Sequence, residues 1–400
     1  MAWILGFILS IFYGCTVNEP NLSTLRLDRF EEEFFVTELF ETEKGEIYCV
    51  GRTYSNQDVI IKQFDSKLNP LGEVNINEKL GLNGDVRVSR LSNGHWRIFH
   101  FVESARDILN IYETDSDFNI LIEKKLSERN DPQSIEYDLI EMKEMQDGGC
   151  LLVLDSHYFP TSTSYGYGNR IVRLNKNLET QWFFAGKKEI FNSVWVTSNA
   201  KVVELDDGSV FYACSVSEGV FRVTRRHILY GLIDKNGKLV YQKITDQLFD
   251  NNPILSISKM GNSVVLNFAV NSNDIHYYFQ IDPVNGEILE ERNLDQNINQ
   301  PSPYWQYIYG HSKLPNDLLV DNGYFLLDKT RQVVSFITVG TDMQVDAQFE
   351  LGLHPFDNIQ SIRHLKTKEG NIVVAVSSDY RDQRYLEVQK IDLSGRPVIE

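Results

Sequence analysis

The sequence predicts an all-β chain, a seven-bladed β-propeller of four-stranded antiparallel blades, and three observations carry that expectation. A Gly-led phrase stands before a short run of β-formers seven times, at Gly45, Gly94, Gly149, Gly208, Gly261, Gly323 and Gly370. The spacings run from about 47 to about 62 residues, the range of propeller and solenoid repeats. Each phrase is followed by an alternating strand that ends in an Asx-rich turn, as in QFDSKLNPLG (63–72), LIDKNGK (232–238) and KIDLSGRP (390–397). Helical periodicity is almost absent from every segment long enough to show it.

Each unit resolves into four strands in a fixed order. The first precedes the Gly turn, as in VTELFET (36–42), VRVSRL (86–91) and DLLV (317–320). The second is the run after the Gly, and the third is the alternating strand that follows a variable connection. The fourth comes after the Asx turn, as in EVNI (73–76), LVYQKI (239–244) and PVIE (397–400). Asn, Asp and Gly at the turns supply the positive φ and the local hydrogen bonds that tight hairpins need. The expected blades span about 34–78, 84–128, 135–186, 198–246, 252–296, 314–352 and 359–400, together one domain over 34–400. The ring closes either by packing the last blade on the first or by adding LSTLRL (22–27) as an edge strand to the last blade, and either way covers a sheet edge.

Residues 1–14 read as a signal peptide. WILGFILSIFYG (3–14) is apolar but too short to span a bilayer, and it ends at Cys15. Gly14 before Cys15 matches a lipobox, whereas Phe12, Tyr13 and the lack of Lys or Arg ahead of the run depart from one. The expectation is a lipidated Cys15 followed by a polar tether (15–33), with an ordinary cleaved signal as the alternative. Export places the protein in the cell envelope, at the outer membrane or cell surface, or else in the periplasm or medium. A net charge of −17 argues against nucleic acid as a partner. Beyond Cys15, only Cys49, Cys150 and Cys214 remain, in strand runs of three different units, which reads as buried thiols and not a disulfide framework.

The pairing of DG-led and Asx-ended strands resembles the repeats of secreted bacterial quinoprotein-like and delta-60-type propellers, among them many Bacteroidetes lipoproteins. That resemblance covers nearly the whole chain and implies an exported propeller, often lipid-anchored. The motifs of WD40 blades, sialidases and kelch repeats are absent. GKLVY (237–241) lacks the Trp that quinone-binding propellers place there, and no cofactor is expected.

Strand order sorts the connections onto two rims. First-to-second and third-to-fourth turns are tight and share one rim. Second-to-third loops and blade-to-blade linkers share the other, and there the lengths vary, as in 156–170, 215–227, 185–198 and 295–316. That rim collects Arg52, Arg106, Arg222, Arg225, Arg226, Arg331, Arg381 and Arg384. Tyr165, Tyr167, Trp195, Tyr304, Trp305 and Tyr307 join them. Arg with Tyr and Trp is the composition of binding hot spots and suits sugar stacking and anion contacts. The competing reading is a rim of arginines paired with nearby acids such as Asp58, Asp107 and Asp379.

Catalytic signals are thin. Glu103, Asp155, Asp328 and Asp379 are candidate carboxylates without a pairing legible from spacing. The histidines are scattered singly, no metal-binding spacing occurs, and neither a nucleophile elbow nor a phosphate loop is present. The favoured function is a non-enzymatic envelope binding scaffold, whose loop rim takes a protein partner or an anionic glycan. The alternatives are a saccharide-active enzyme, hydrolase or lyase, with carboxylates at the channel mouth, and a purely structural spacer.

Overall fold

The computed structural model describes residues 24–27, 34–53, 57–102, 108–127, 135–161, 164–185, 195–218, 226–246, 254–270, 275–293, 305–308, 323–328, 333–339, 345–381, 383–392 and 398. Seven four-stranded antiparallel sheets form a seven-bladed propeller. In chain order, β1 (Thr24–Leu27) precedes blade 1, which is β2 (Phe34–Glu41), β3 (Ile47–Thr53), β4 (Val59–Phe64) and β5 (Pro70–Asn75). A one-turn helix, α1 (Ile76–Leu80), leads into blade 2: β6 (Gly84–Arg90), β7 (Trp96–Val102), β8 (Ile108–Thr114) and β9 (Ile120–Ser127). Blade 3 is β10 (Ile135–Glu144), β11 (Cys150–Thr161), β12 (Ser164–Leu174) and β13 (Thr180–Ala185). Blade 4 is β14 (Trp195–Glu204), β15 (Val210–Glu218), β16 (Arg226–Ile233) and β17 (Leu239–Ile244). Blade 5 follows as β18 (Ile254–Met260), β19 (Ser263–Val270), β20 (Ile275–Ile281) and β21 (Ile288–Asn293). Blade 6 is β22 (Trp305–Ile308), β23 (Gly323–Asp328), β24 (Val333–Val339) and β25 (Val345–Glu350), and blade 7 holds β26 (Asn358–Lys366), β27 (Ile372–Tyr380) and β28 (Gln383–Ile391).

The fourth place in blade 7 belongs to β1, which pairs antiparallel with β28 from Thr24 opposite Gln389 to Leu27 opposite Leu386. Val398, from the expected closing strand PVIE, donates its N–H to Lys390 O at 2.9 Å, just beyond the β1 pairing. Of the two closures open to the sequence, the edge strand is the one observed. The first four residues of the propeller therefore come from the stretch read as tether.

Nine turns share one hydrogen-bond scheme, in which the first residue's N–H donates to the fifth residue's carbonyl and the fourth's N–H to the first's carbonyl. The fourth residue takes positive φ, and in blades 1 to 3 the third-to-fourth turns put Leu68, Phe118 and Leu178 there in place of Gly or Asn. Left-handed backbone costs an L-residue about 1–2 kcal/mol. All three side chains are buried in inter-blade clusters, and burying a Leu or Phe contributes about 1.5–3 kcal/mol. Burial wins. The Asx residues hold the loops: Asp65 Oδ1 accepts the Lys67 and Asn69 N–H groups at 2.9 and 2.7 Å, and Asp115 repeats the pattern at 2.9 Å. Hydrogen bonds from Asn69 and Asn119 hold these two carboxyls below the usual carboxylate range.

The core lies between blades. Leu151, Val153 and Ile171 of blade 3 meet Val202, Tyr212 and Val216 of blade 4 in one cluster, and the opposite face of blade 3 packs Leu152, Leu154 and Val172 with Phe99 and Ile111 of blade 2. Polar staples on the turn rim tie blades 2 to 3, 3 to 4, 4 to 5 and 7 to 1. Glu144 accepts the Ser92 N–H (2.7 Å), Glu204 the Gln146 N–H (2.9 Å) and Glu41 the Lys368 N–H (2.7 Å), the last across the closure. Lys259 and Asp206 form an ion pair at the equivalent place between blades 4 and 5. The Trp182 indole N–H donates to Lys235 O at 3.0 Å, with its ring against Gly237, where a Cβ would lie 2.7 Å from the indole.

Blade 6 departs from the expected plan. Its first strand is Trp305–Ile308, and DLLV (317–320) lies outside the described residues. Residues 309–322, between β22 and β23 in the chain, lie outside the described residues.

Candidate binding cleft on the loop rim

Where the segments read as long loops are described, they lie mostly in strands. Tyr165 and Tyr167 lie in β12, Trp195 in β14, Arg226 in β16, Trp305 and Tyr307 in β22, and Arg384 in β28. The 156–170 stretch is an extended hairpin, paired out to Thr161 opposite Ser164. Its Tyr, Phe and Thr content favours pairing, and a two-residue connection leaves register no freedom. Arg106, Arg222, Arg225, Tyr304 and Arg331 lie outside the described residues.

Arg52 lies in β3, mostly buried, paired to Asp85 and to the Val86 carbonyl of blade 2. Burial and the neighbouring Arg87 charge lower its pKa against the pull of Asp85. It is a blade-to-blade staple. Arg381 occupies a positive-φ turn position, and its N–H donates to Asp357 Oδ2 at 2.7 Å. Arg384 is the register partner of Asp379, and the Asp379 carboxylate accepts a hydrogen bond from Gln360. Of these three, Arg52 is the one whose guanidinium is recorded in an ion pair.

The aromatic half of the expectation gains a place. Leu151 and Val153 alternate onto the face of blade 3 that meets blade 4, and Asp155 and His157 continue that face toward the loop rim. In register beside them stand Asn169 and Tyr167 of β12, the latter opposite His157, and Asp138 and Glu136 of β10. On blade 4, Val216 belongs to the same inter-blade cluster and is opposite Thr197, so Trp195, two residues along β14, shares that face. The strands themselves touch, β12 and β11 against β14. Backbone register thus sets Tyr167 of blade 3 and Trp195 of blade 4 on the sheet faces that these two blades turn toward each other.

Sequence reading missed Asp138 and Glu136. They stand two apart in IEYDLIEMKE, a spacing that puts both on one strand face, but only the register sets Asp138 directly opposite Asp155. Directly opposed residues hold their Cβ atoms about 4.5–5.5 Å apart, and like charges there are destabilising.

Elsewhere the titratable groups are structural. Arg97 is buried against Glu113 at 2.7 Å, and His95 Nδ1 lies 3.0 Å from the same carboxylate. Burial would raise Glu113, but the bonds and charges of Arg97 and His95 outweigh it and hold that carboxyl low. Burial drives His364 down to about 3, with the Arg363 charge adding to it. Cys49 and Cys150 are buried thiols pushed up to about 12 and about 11, and Cys214 is likewise buried. Thiolate chemistry is suppressed at Cys49 and Cys150. Among the described residues, no group of three His, Cys, Asp or Glu converges to hold a metal, and no helix is long and apolar enough to cross a membrane.

No family model and no curated protein matches the chain. Solved structures do. An ulvan lyase from a new family of polysaccharide lyases is 10% identical, with 92% of this chain and 96% of that chain covered and a TM-score of 0.53. A puromycin hydrolase is 8% identical, with 92% of this chain and 53% of that one covered, and a TM-score of 0.52. BBS1N in complex with ARL6DN is 11% identical over 92% and 96%, with a TM-score of 0.46. At such identities the likeness shows the propeller fold alone.

Proposed function

We propose that this chain is a non-enzymatic, envelope-anchored binding propeller, lipidated at Cys15, which holds a protein partner or a glycan on its loop rim. The reading is supported by the backbone register, which sets Tyr167, beside Asp155 and His157, and Trp195 on the faces that blades 3 and 4 turn toward each other. Aromatic faces with polar neighbours suit sugar rings and peptide segments alike. The acids at Glu136, Asp138 and Asp155 favour neutral or cationic groups in the cleft, so an anionic glycan would contact the rim arginines instead. Envelope location and the lipid anchor rest on the apolar run ending at Cys15 and on the resemblance to exported propellers.

The decisive experiment is a glycan array together with capture from envelope extract, using wild type and a Tyr167→Ala, Trp195→Ala double variant. The reading expects one ligand class to bind, and the variant to lose it at least about thirtyfold, the size of one hot-spot loss. Undiminished binding by the variant refutes the cleft.

One observation supports the alternative, a saccharide-active enzyme. Asp138 and Asp155 oppose each other at a spacing compatible with the two-carboxyl pairs of glycosidases. New reducing ends from a bound polysaccharide, abolished by Asp155→Asn while binding persists, would establish it in place of the scaffold reading.

A further inference from the structure

We infer that the propeller is held with its turn rim toward the membrane and its loop rim, with the binding cleft, facing away; the inference rests on the lipid anchor at Cys15 proposed above. The polarity of β1 carries it. The third strand of blade 7, β28, runs from the loop rim at Gln383 to the turn rim at Ile391. Because β1 is antiparallel and starts opposite Gln389, its N-terminal end lies near the turn rim. The chain from Cys15 therefore reaches the propeller from the turn-rim side.

Reach decides between the two rims. Nine residue steps separate Cys15 from Thr24 and span at most about 30 Å when fully extended. On the turn-rim side, all of that length is available between lipid and protein. To bring the loop rim to the bilayer, the tether would first have to run back along blade 7 from the level of Gln389 to that of Gln383. At about 3.4 Å per residue that return consumes some two-thirds of its length. Too little then remains to lay the opposite rim on a membrane.

Adhesion does not set this orientation. The turns facing the bilayer mix acids such as Glu43, Asp115 and Asp207 with lysines such as Lys44, Lys67, Lys176 and Lys235, so the rim carries no single-sign patch to hold lipid headgroups. Apposition is therefore a property of the covalent anchor. A cleft that points outward takes its ligand from the bulk phase and not from lipid headgroups, which narrows the partner to a soluble protein or a glycan reaching the protein from outside.

The test uses full-length, lipidated protein in vesicles that contain a headgroup-labelled energy acceptor. A donor dye is placed at Lys67→Cys on the turn rim or at Arg381→Cys on the loop rim, both exposed positions. The native thiols Cys49, Cys150 and Cys214 are buried and stay unlabelled. The rims lie roughly 25 Å apart, the length of a seven- or eight-residue strand, so transfer from Lys67→Cys should exceed that from Arg381→Cys at least about twofold. Equal or reversed transfer from membrane-bound protein overturns the orientation and leaves the anchor standing. Protein that never partitions with vesicles, or that partitions equally well as Cys15→Ser, overturns the anchor and this inference with it.

Discussion

The two rims of the propeller are built on opposite logics. On the turn rim, nine turns repeat one hydrogen-bond scheme, and Glu41, Glu144 and Glu204 each clasp a turn of the neighbouring blade. Among the described residues, no such scheme recurs on the loop rim, and individual strands run on by different amounts, with β11 and β12 the longest. One rim is specified by repetition and fixes the scaffold. The other is specified blade by blade, so chemistry can change there without loosening the ring.

The comparison breaks most visibly if stability is not concentrated on the turn rim. Arg97→Met strands the buried Glu113 carboxylate and should cost about 3–5 kcal/mol by urea denaturation. Its pH dependence should also invert. In wild type, the depressed Glu113 contributes stability above the unfolded carboxylate pKa that is lost as pH falls through the folded value, whereas the variant should gain stability on acidification.

Gly237→Val is next, at about 2–4 kcal/mol. It places a β-branched residue at φ +83° and drives it into the Trp182 ring. Loss of the Trp182 bond to Lys235 should be visible in tryptophan emission.

A smaller effect follows from His364, which the fold keeps neutral. Its pKa lies near 3 in the folded state against about 6.5 unfolded, so stability is lost as pH falls through that window. Between pH 7 and pH 4 the loss attributable to this residue should be about 2–3 kcal/mol. His364→Phe, in an apolar setting beside Phe336, should remove that slope. A slope that persists would place the acid sensitivity elsewhere.

Trp195→Ala should have the smallest effect on stability, within about 1 kcal/mol, while abolishing ligand capture. A loss of several kcal/mol would mean that the loop rim holds up the fold as well, and the division between the rims would fail.

How much of this was legible in the sequence follows the same division. The Gly-led phrases located second strands correctly because positive φ at Gly45, Gly94 and Gly208 is a local demand that only a few residues meet cheaply. Leu68, Phe118 and Leu178 defeated the same rule, since their left-handed backbone is offset by burial between blades, which is not a local property. Blade 6 misled for a related reason. DLLV resembles a first strand, but the strand that pairs with Gly323–Asp328 is Trp305–Ile308. Paired strands separated by fourteen residues leave no local signature.

The sequence by itself determined the all-β class, the sevenfold unit and the identity of the tight-turn rim, because each rests on short-range periodicity and turn chemistry. The tertiary structure alone decided that β1 closes the ring, that Arg52 pairs with Asp85 of the neighbouring blade, and that Tyr167, Asp138 and Asp155 lie on the face of blade 3 that meets the Trp195 face of blade 4. Those facts depend on register between strands and contact between blades. A strand's own residues state which of them share a face, but not what that face will meet.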